Sequence, residues 1–251
     1  LDDCRGQVFA IRLAIARGQY EDALMRIDEC LKQKPIFSFG YLLRSNINLA
    51  MGNDHAATED IRRAASLNPL DGTIARASAS LLYTRNQQLG ANISAVQIAE
   101  TGDALEKAVA LNPNDLSLLS LYADYISDTE PLRAIAIRQD LQKAEPSLEN
   151  AVLLGKLALE MAEKETEQAS KDAMYAIADS AFEQARQIDP GDKQMLYHYC
   201  EYLRARGRGE EAEKLLEQSK DEQLLWSHYY RAGQYENARR VLKKLYEKDN
   251  T

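Results

Sequence analysis

The sequence predicts an all-α chain built as a solenoid of antiparallel helix hairpins, and three observations predict it. Gly (12) and Pro (6) are scarce among 251 residues, whereas Ala, Leu, Glu, Gln, Lys and Arg, which lose little or no rotamer freedom in a helix, are abundant. Prolines end similar motifs at Pro35, Pro69, Pro113, Pro146 and Pro190, at intervals of 34, 44, 33 and 44 residues. A near-constant period in that range marks a repeat array. Between the prolines one punctuation returns: a helix, a turn usually carrying Gly, and a second helix opening on Ala.

Taken in order, the first unit (4–37) turns at RGQYEDA (17–23) and the second (38–71) at MGNDHAA (51–57), closing on AASLNP (64–69). The third (72–114) is about ten residues longer, through NQQLGANISAVQIAE (86–100), and closes on AVALNP (108–113). The fourth (115–147) closes on KAEP (143–146). The fifth (148–191) is again longer, through KETEQASKD (164–172), and closes on ARQIDP (185–190). The sixth (192–219) and seventh (221–249) turn at RGRGEEA (206–212) and AGQYENA (232–238); they lack the closing proline and meet at SKDEQ (219–223). The expected organisation is one array over 1–251.

Glycine suits these turns because a left-handed residue costs it nothing sterically. Ala23, Ala57, Ala212 and Ala238 let paired helices approach closely, and Ile27, Ile61, Leu216 and Leu242, four residues on, are expected to supply the larger packing side chain on the same face. In each long unit, ten residues shared between two helices lengthen each by about five, roughly 7 Å. The first tip is largely uncharged (Leu89, Ile93, Val96, Ile98) and is expected to pack on a neighbour or partner. The second is charged (Glu163, Lys164, Glu165, Glu167, Lys171, Asp172) and is expected to be solvated. Simple variation in loop length is the alternative for both.

The order of turn Gly, Tyr or Asp, Ala, a large apolar residue, Ala and terminal Pro resembles the tetratricopeptide repeat, best in RGQYEDALMRIDECLKQKP and MGNDHAATEDIRRAASLNP. The resemblance spans essentially the whole chain as about seven repeats and implies a right-handed superhelix with the first (A) helix of each hairpin on its concave surface. Leu154 and Gly155 match the family's Leu-Gly position, where the first two units carry Ile11 and Ser45. Counted from the turn glycines, the resemblance puts Arg5, Arg12, Leu42, Asn46, Leu49, Arg76, Tyr83, Asp124, Asp128, Lys156, Tyr197, Glu201, Arg204 and Tyr230 on the concave face. Tyr and Arg are enriched at binding hot spots, so a groove for an extended or helical partner segment is implied. The alternative is that many of them cover hairpin seams. Where some relatives clamp a carboxylate with Lys and Asn, this chain has Val8 and Arg12.

Chemistry is absent from the motifs: there is no phosphate-cradling Gly loop, no paired His around a Glu, no Gly-x-Ser-x-Gly and no Cys-x-x-Cys. No catalytic residue, metal or cofactor is therefore expected. Cys4, Cys30 and Cys200 read as buried small residues, with neither a disulfide framework nor a zinc pattern visible. Most of the 13 tyrosines read as seam residues. A formal net charge of -8 disfavours the counterion-release binding of nucleic acids. No apolar run reaches the roughly 20 residues of a membrane span. The chain begins at Leu1 with an amphipathic pattern running by Val8, so it reads as starting inside a longer protein, with room upstream for a signal or anchor.

The last helix, 235–249, has Ala238, Val241, Leu242, Leu245 and Tyr246 on one side and Arg239, Arg240, Lys243, Lys244 and Lys248 on another, as a terminal cap needs. Val8, Phe9, Ile11, Leu13 and Ile15 spread over more than one face, so the first helix is expected to meet upstream sequence, another repeat or a second copy. The function expected is a protein-interaction scaffold that holds a partner segment in the groove or at the edge formed by the long units. A structural or self-assembling module and an RNA-binding repeat are the rivals.

Overall fold

A computed structural model describes residues 4–249, apart from the side chains of Arg5, Lys248 and Asp249. The expectations for Arg5 and Lys248 thus lie outside the described residues. The described residues are organised in two compact units, Leu1–Tyr125 and Ile126–Thr251, whose boundary falls inside the fourth sequence unit.

Unit 1 contains α1 (Cys4–Ala16), α2 (Tyr20–Gln33), α3 (Ser38–Ala50), α4 (Asp54–Leu67), α5 (Gly72–Leu89), α6 (Ala95–Leu111) and α7 (Leu116–Ile126), whose last residue crosses the boundary. Unit 2 contains α8 (Pro131–Ala144), α9 (Leu148–Lys164), α10 (Gln168–Ile188), α11 (Lys193–Ala205), α12 (Gly209–Ser219), α13 (Glu222–Arg231) and α14 (Tyr235–Asp249). No strand occurs among the described residues.

Four turns share one backbone device. Gly18, Gly52, Gly207 and Gly233 have φ of +71°, +76°, +72° and +72°. The amide of the next residue donates back to the helix, as in Gln19 to Ala14 at 2.9 Å and Asn53 to Asn48 at 2.8 Å. This Schellman closure satisfies carbonyls that the helix end leaves open. At the SKDEQ link the left-handed position is instead Lys220, with φ 57°. Helix starts are fixed by side chains: Asp71, Ser147, Asp192 and Asp221 accept backbone amides at the heads of α5, α9, α11 and α13, and Ser94 with Gln97 forms a capping box on α6.

Within each unit, contacts join a helix to its hairpin partner, to the next hairpin and to the neighbouring A helix, as α3 touches α4 and α5, and α11 touches α9, α12 and α13. Apolar sides are thus buried between adjacent hairpins, the nearest-neighbour logic of a solenoid. Ala23, Ala57 and Ala212 are fully buried at the close approach, and Ile27, Ile61 and Leu216 lie behind them as expected. Leu242 is a correction. It is 50 % exposed, and the buried residues of α14 are Ala238 and Val241. Changing Ala57 or Ala212 to Leu should cost about 1–3 kcal/mol through overpacking. Glu59→Gln, which loses only a surface ion pair to Arg62, should be near neutral. Urea midpoints check this, and equal midpoints for all three variants would contradict the register.

Cys4 of α1 and Cys30 of α2 form a disulfide, with Cα atoms 5.2 Å apart. This overturns their reading as merely small buried residues; the pairing was invisible because it depends on how the two helices of the hairpin face one another. Cys200 is free and buried. The long hairpins do have longer helices, 18 and 17 residues in α5 and α6, and 17 and 21 in α9 and α10. Val96 and Ile98 of the first tip are exposed, as are Glu163, Lys164, Glu167 and Asp172 of the second.

The ends differ from expectation in detail. Ile11 is buried with Val8 and Ile15 packed nearby, whereas Phe9 is 76 % exposed and Leu13 is also open. On α14 the apolar stripe is not fully covered, because Tyr246 joins Leu242 on the surface.

Candidate functional site

The richest constellation on the A helices is in unit 2. Tyr197 and Glu201 stand one turn apart on α11, and Arg231 comes from the end of α13. The Arg231 guanidinium lies 5.0 Å from the Tyr197 ring centre, and its Nη1 donates to Glu201 Oε1 at 3.0 Å. Arg204, one turn further along α11, donates Nη2 to the same carboxylate oxygen. Two guanidiniums therefore converge on one carboxylate beside an aromatic face, which combines charge-assisted hydrogen bonds with a cation–π contact. Nearby, Tyr230 is exposed and stacks on Trp226 with centroids 5.7 Å apart, while its ring meets Tyr235 edge-on at 5.8 Å. On α9, Lys156 is exposed and makes a 3.8 Å surface pair with Glu160.

Burial disfavours the charged forms of Cys200, His198 and His228 nearby. Burial pushes the Cys200 thiol up to about 12, so it is no thiolate at neutral pH. Burial, reinforced by Lys156, lowers His198. Burial, reinforced by Arg204, lowers His228, whose Nδ1 has no hydrogen-bond partner. Among the described residues no cluster of three or more His, Cys, Asp or Glu could hold a metal, and no helix is long and apolar enough to cross a membrane.

In unit 1 the expected residues are more dispersed. Arg12 lies over Phe39 at 5.2 Å, Arg76 pairs with Asp115 at 2.7 Å, Asn46 and Leu49 are exposed, and Tyr83 and Asp124 are half-buried. Two expectations are corrected. Leu42 is 4 % exposed and packs with Ile61, Ala64 and Ile74, because it sits on the side of α3 that faces the next hairpin. Asp128 lies in the turn after α7 and not on an A helix.

Of the expected residues, the structure gathers Tyr197, Glu201 and Arg204. The sequence reading missed Arg231, though it stands one repeat period, 34 residues, after Tyr197. It also missed a part-buried polar tie in unit 1. Arg44 of α3 donates to Asp60 of α4 at 2.6 Å and to Asp28 of α2 at 2.7 Å, and Asn48 donates to Asp60 at 3.0 Å. Hydrogen bonds that Arg44 donates to Asp60, then to Asp28, hold it above its usual value against the opposing effect of burial. Its signal was the 16-residue step from a second helix to the next A helix, which recurs in Tyr122 to Glu106 at 3.0 Å and Tyr229 to Glu213 at 2.6 Å.

Hairpins of this length, closed by left-handed glycines and packed on their neighbours, define the tetratricopeptide-repeat fold, and solved structures of that fold match the chain. Protein YrrB, a tetratricopeptide-repeat protein described as having an unusual peptide-binding site, is 16% identical, with TM-score 0.61 over 79% of this chain and 95% of that one. The C-terminal part of a tetratricopeptide-repeat protein from Cytophaga hutchinsonii is 15% identical, with TM-score 0.66 over 96% and 95%. PilW, a type IV pilus biogenesis factor, is 16% identical, with TM-score 0.55 over 89% and 97%. The likeness is one of fold. No family model and no curated protein matches the sequence.

Proposed function

We propose that this chain is a protein-interaction scaffold whose A helices hold a segment of a partner protein, with Tyr197, Glu201, Arg204 and Arg231 as the anchor. The observation that carries this reading is the part-exposed cluster in which Arg231 of α13 meets the Tyr197 ring and the Glu201 carboxylate of α11, a carboxylate that Arg204 shares. Such Tyr and Arg clusters are the residues on which binding energy concentrates. A peptide carboxylate can replace Glu201 on the guanidiniums, and a peptide amide can donate to Glu201. Lys156 and Tyr230 extend the surface along α9 and α13, and in unit 1 Arg12, Asn46, Leu49, Arg76, Tyr83 and Asp124 offer a comparable mixture. The peptide-binding site described for YrrB, on a similar fold, points the same way. The net charge of -8 favours a protein partner over nucleic acid.

Affinity capture with crosslinking from native extract tests the proposal. The Y197A/R231A pair, in which Tyr197 is half-buried and Arg231 exposed, should reduce capture of the main partner by about tenfold, as expected for loss of hot-spot side chains. Capture equal to that of the unaltered chain would remove the anchor. Self-association through α1 is a second reading, favoured by the exposed Phe9 and Leu13 one turn apart.

A further inference from the structure

The hairpins repeat one seam, and the first and last helices each expose half of it. A second helix carries a larger residue four positions after its small one. At that position Ile27, Ile61, Leu105, Arg138, Phe182 and Leu216 are each no more than 2 % exposed. In unit 1 the following first helix closes over it: Ile27 shares a core cluster with Leu43 and Ile47 of α3, and Ile61 with Ile74 of α5. Leu242 holds the same place on α14, four residues after Ala238, yet it is half exposed, and Tyr246 one turn on is exposed as well. α14 thus carries the face that receives a first helix.

The other half of the seam is on α1. Leu43 and Ile47, which α3 presents to the preceding hairpin, are buried. Their counterparts one period of 34 residues earlier are Phe9 and Leu13, the exposed large apolar residues of α1.

Charge agrees with this match. Consecutive second helices are bridged where Arg62 of α4 meets Glu100 of α6 at 2.6 Å, while Arg62 also holds Glu59 of its own helix at 2.8 Å. Arg62 directly follows Ile61, as Lys243 directly follows Leu242. Glu100 directly precedes Thr101, which is buried as Ala23 is at the close approach, and the residue before Ala23 is Asp22. Lys243 and Asp22 therefore stand where the bridging pair forms when a hairpin follows another. Both are partly open, and each holds a residue of its own helix, Glu247 and Arg26, as Arg62 holds Glu59. More widely, α14 carries Arg239, Arg240, Lys243 and Lys244 against Glu236 and Glu247, whereas α2 carries Glu21, Asp22, Asp28 and Glu29 against Arg26 and Lys32. Opposite charges would meet across the junction.

Building on self-association through α1, and independently of the Tyr197 anchor, we infer that α14 of one molecule receives α1 of a second copy. Phe9 and Leu13 cover Leu242 and Tyr246, and Lys243 reaches Asp22. The two faces differ, so the contact is heterologous: a pair keeps one free α1 and one free α14, and further copies add to it.

Sedimentation velocity of the full chain over a range of concentrations tests this with Phe9→Glu, which spoils only the α1 face, and Leu242→Glu, which spoils only the α14 face. Both residues are exposed, so helix content by circular dichroism should be unchanged. The unaltered chain should grow beyond a dimer as concentration rises. Each variant alone should associate at least about thirtyfold more weakly, as for loss of a hot-spot side chain. Mixed, the two variants should form a dimer that grows no further, since each supplies the face the other lacks. Asp22→Lys and Lys243→Asp should each weaken association by about fivefold, and the double swap should restore it. A double swap weaker than either single change removes the Lys243–Asp22 contact. An unaltered chain that stays a single-chain particle overturns the inference together with self-association through α1. Association lost with Phe9→Glu but kept with Leu242→Glu overturns the α14 contact alone and leaves α1 pairing with itself.

Discussion

Replacing Gly155 with valine is expected to lower the unfolding free energy by about 3 kcal/mol, the upper end of the overpacking range. A Cβ at Gly155 would stand 2.8 Å from Phe182 Cζ, inside any normal carbon contact. Phe182 has nowhere to go: it is fully buried, and its ring centre lies 5.6 Å from both Tyr199 and Tyr202. Alanine at the same site regains helix propensity of up to ~1 kcal/mol and should cost less. Urea unfolding followed by circular dichroism measures both. Because the clash has one named partner, Phe182→Leu should recover at least about 1 kcal/mol of the valine loss in a double-mutant cycle. Strict additivity would show that Phe182 is not what Gly155 accommodates.

The second large effect is expected at Asp60. Asp60→Ala removes a 5 % exposed carboxylate that accepts from Arg44 and Asn48. Breaking a fully buried pair costs about 3–5 kcal/mol. Here Arg44 keeps some water and the second carboxylate, Asp28, so about 2–3 kcal/mol is expected. Asp60→Asn retains an acceptor and should lose roughly half as much. Asp28→Ala, at the exposed end of the tie, should lose no more than about 1 kcal/mol. The order of the three urea midpoints is the check, and a larger loss at Asp28 than at Asp60 would reverse the assignment.

Both sites show what was readable in advance. Gly155 stood out in the sequence because it matched a small-residue position beside Leu154, yet nothing there pointed to Phe182. The tie of Arg44 to Asp28 and Asp60 was not read from the sequence, since its partners stand 16 residues away on neighbouring helices. Leu42 was assigned to the open face by counting from a glycine, and a shift of one position around a helix of ~3.6 residues per turn turns a surface side chain into a core one.

The amino-acid order alone determined the all-helical class, the hairpin period and the turn positions. These depend on Pro, Gly and small residues acting on the backbone within a few positions of themselves, so the chemistry is local. Folding in three dimensions decided the rest: the Cys4–Cys30 bond, the gathering of Arg204 and Arg231 on Glu201, and the exposure of Leu242 and Tyr246. Each of these arises where one helix meets another, and the angle and offset of that meeting come from the packing of many side chains together.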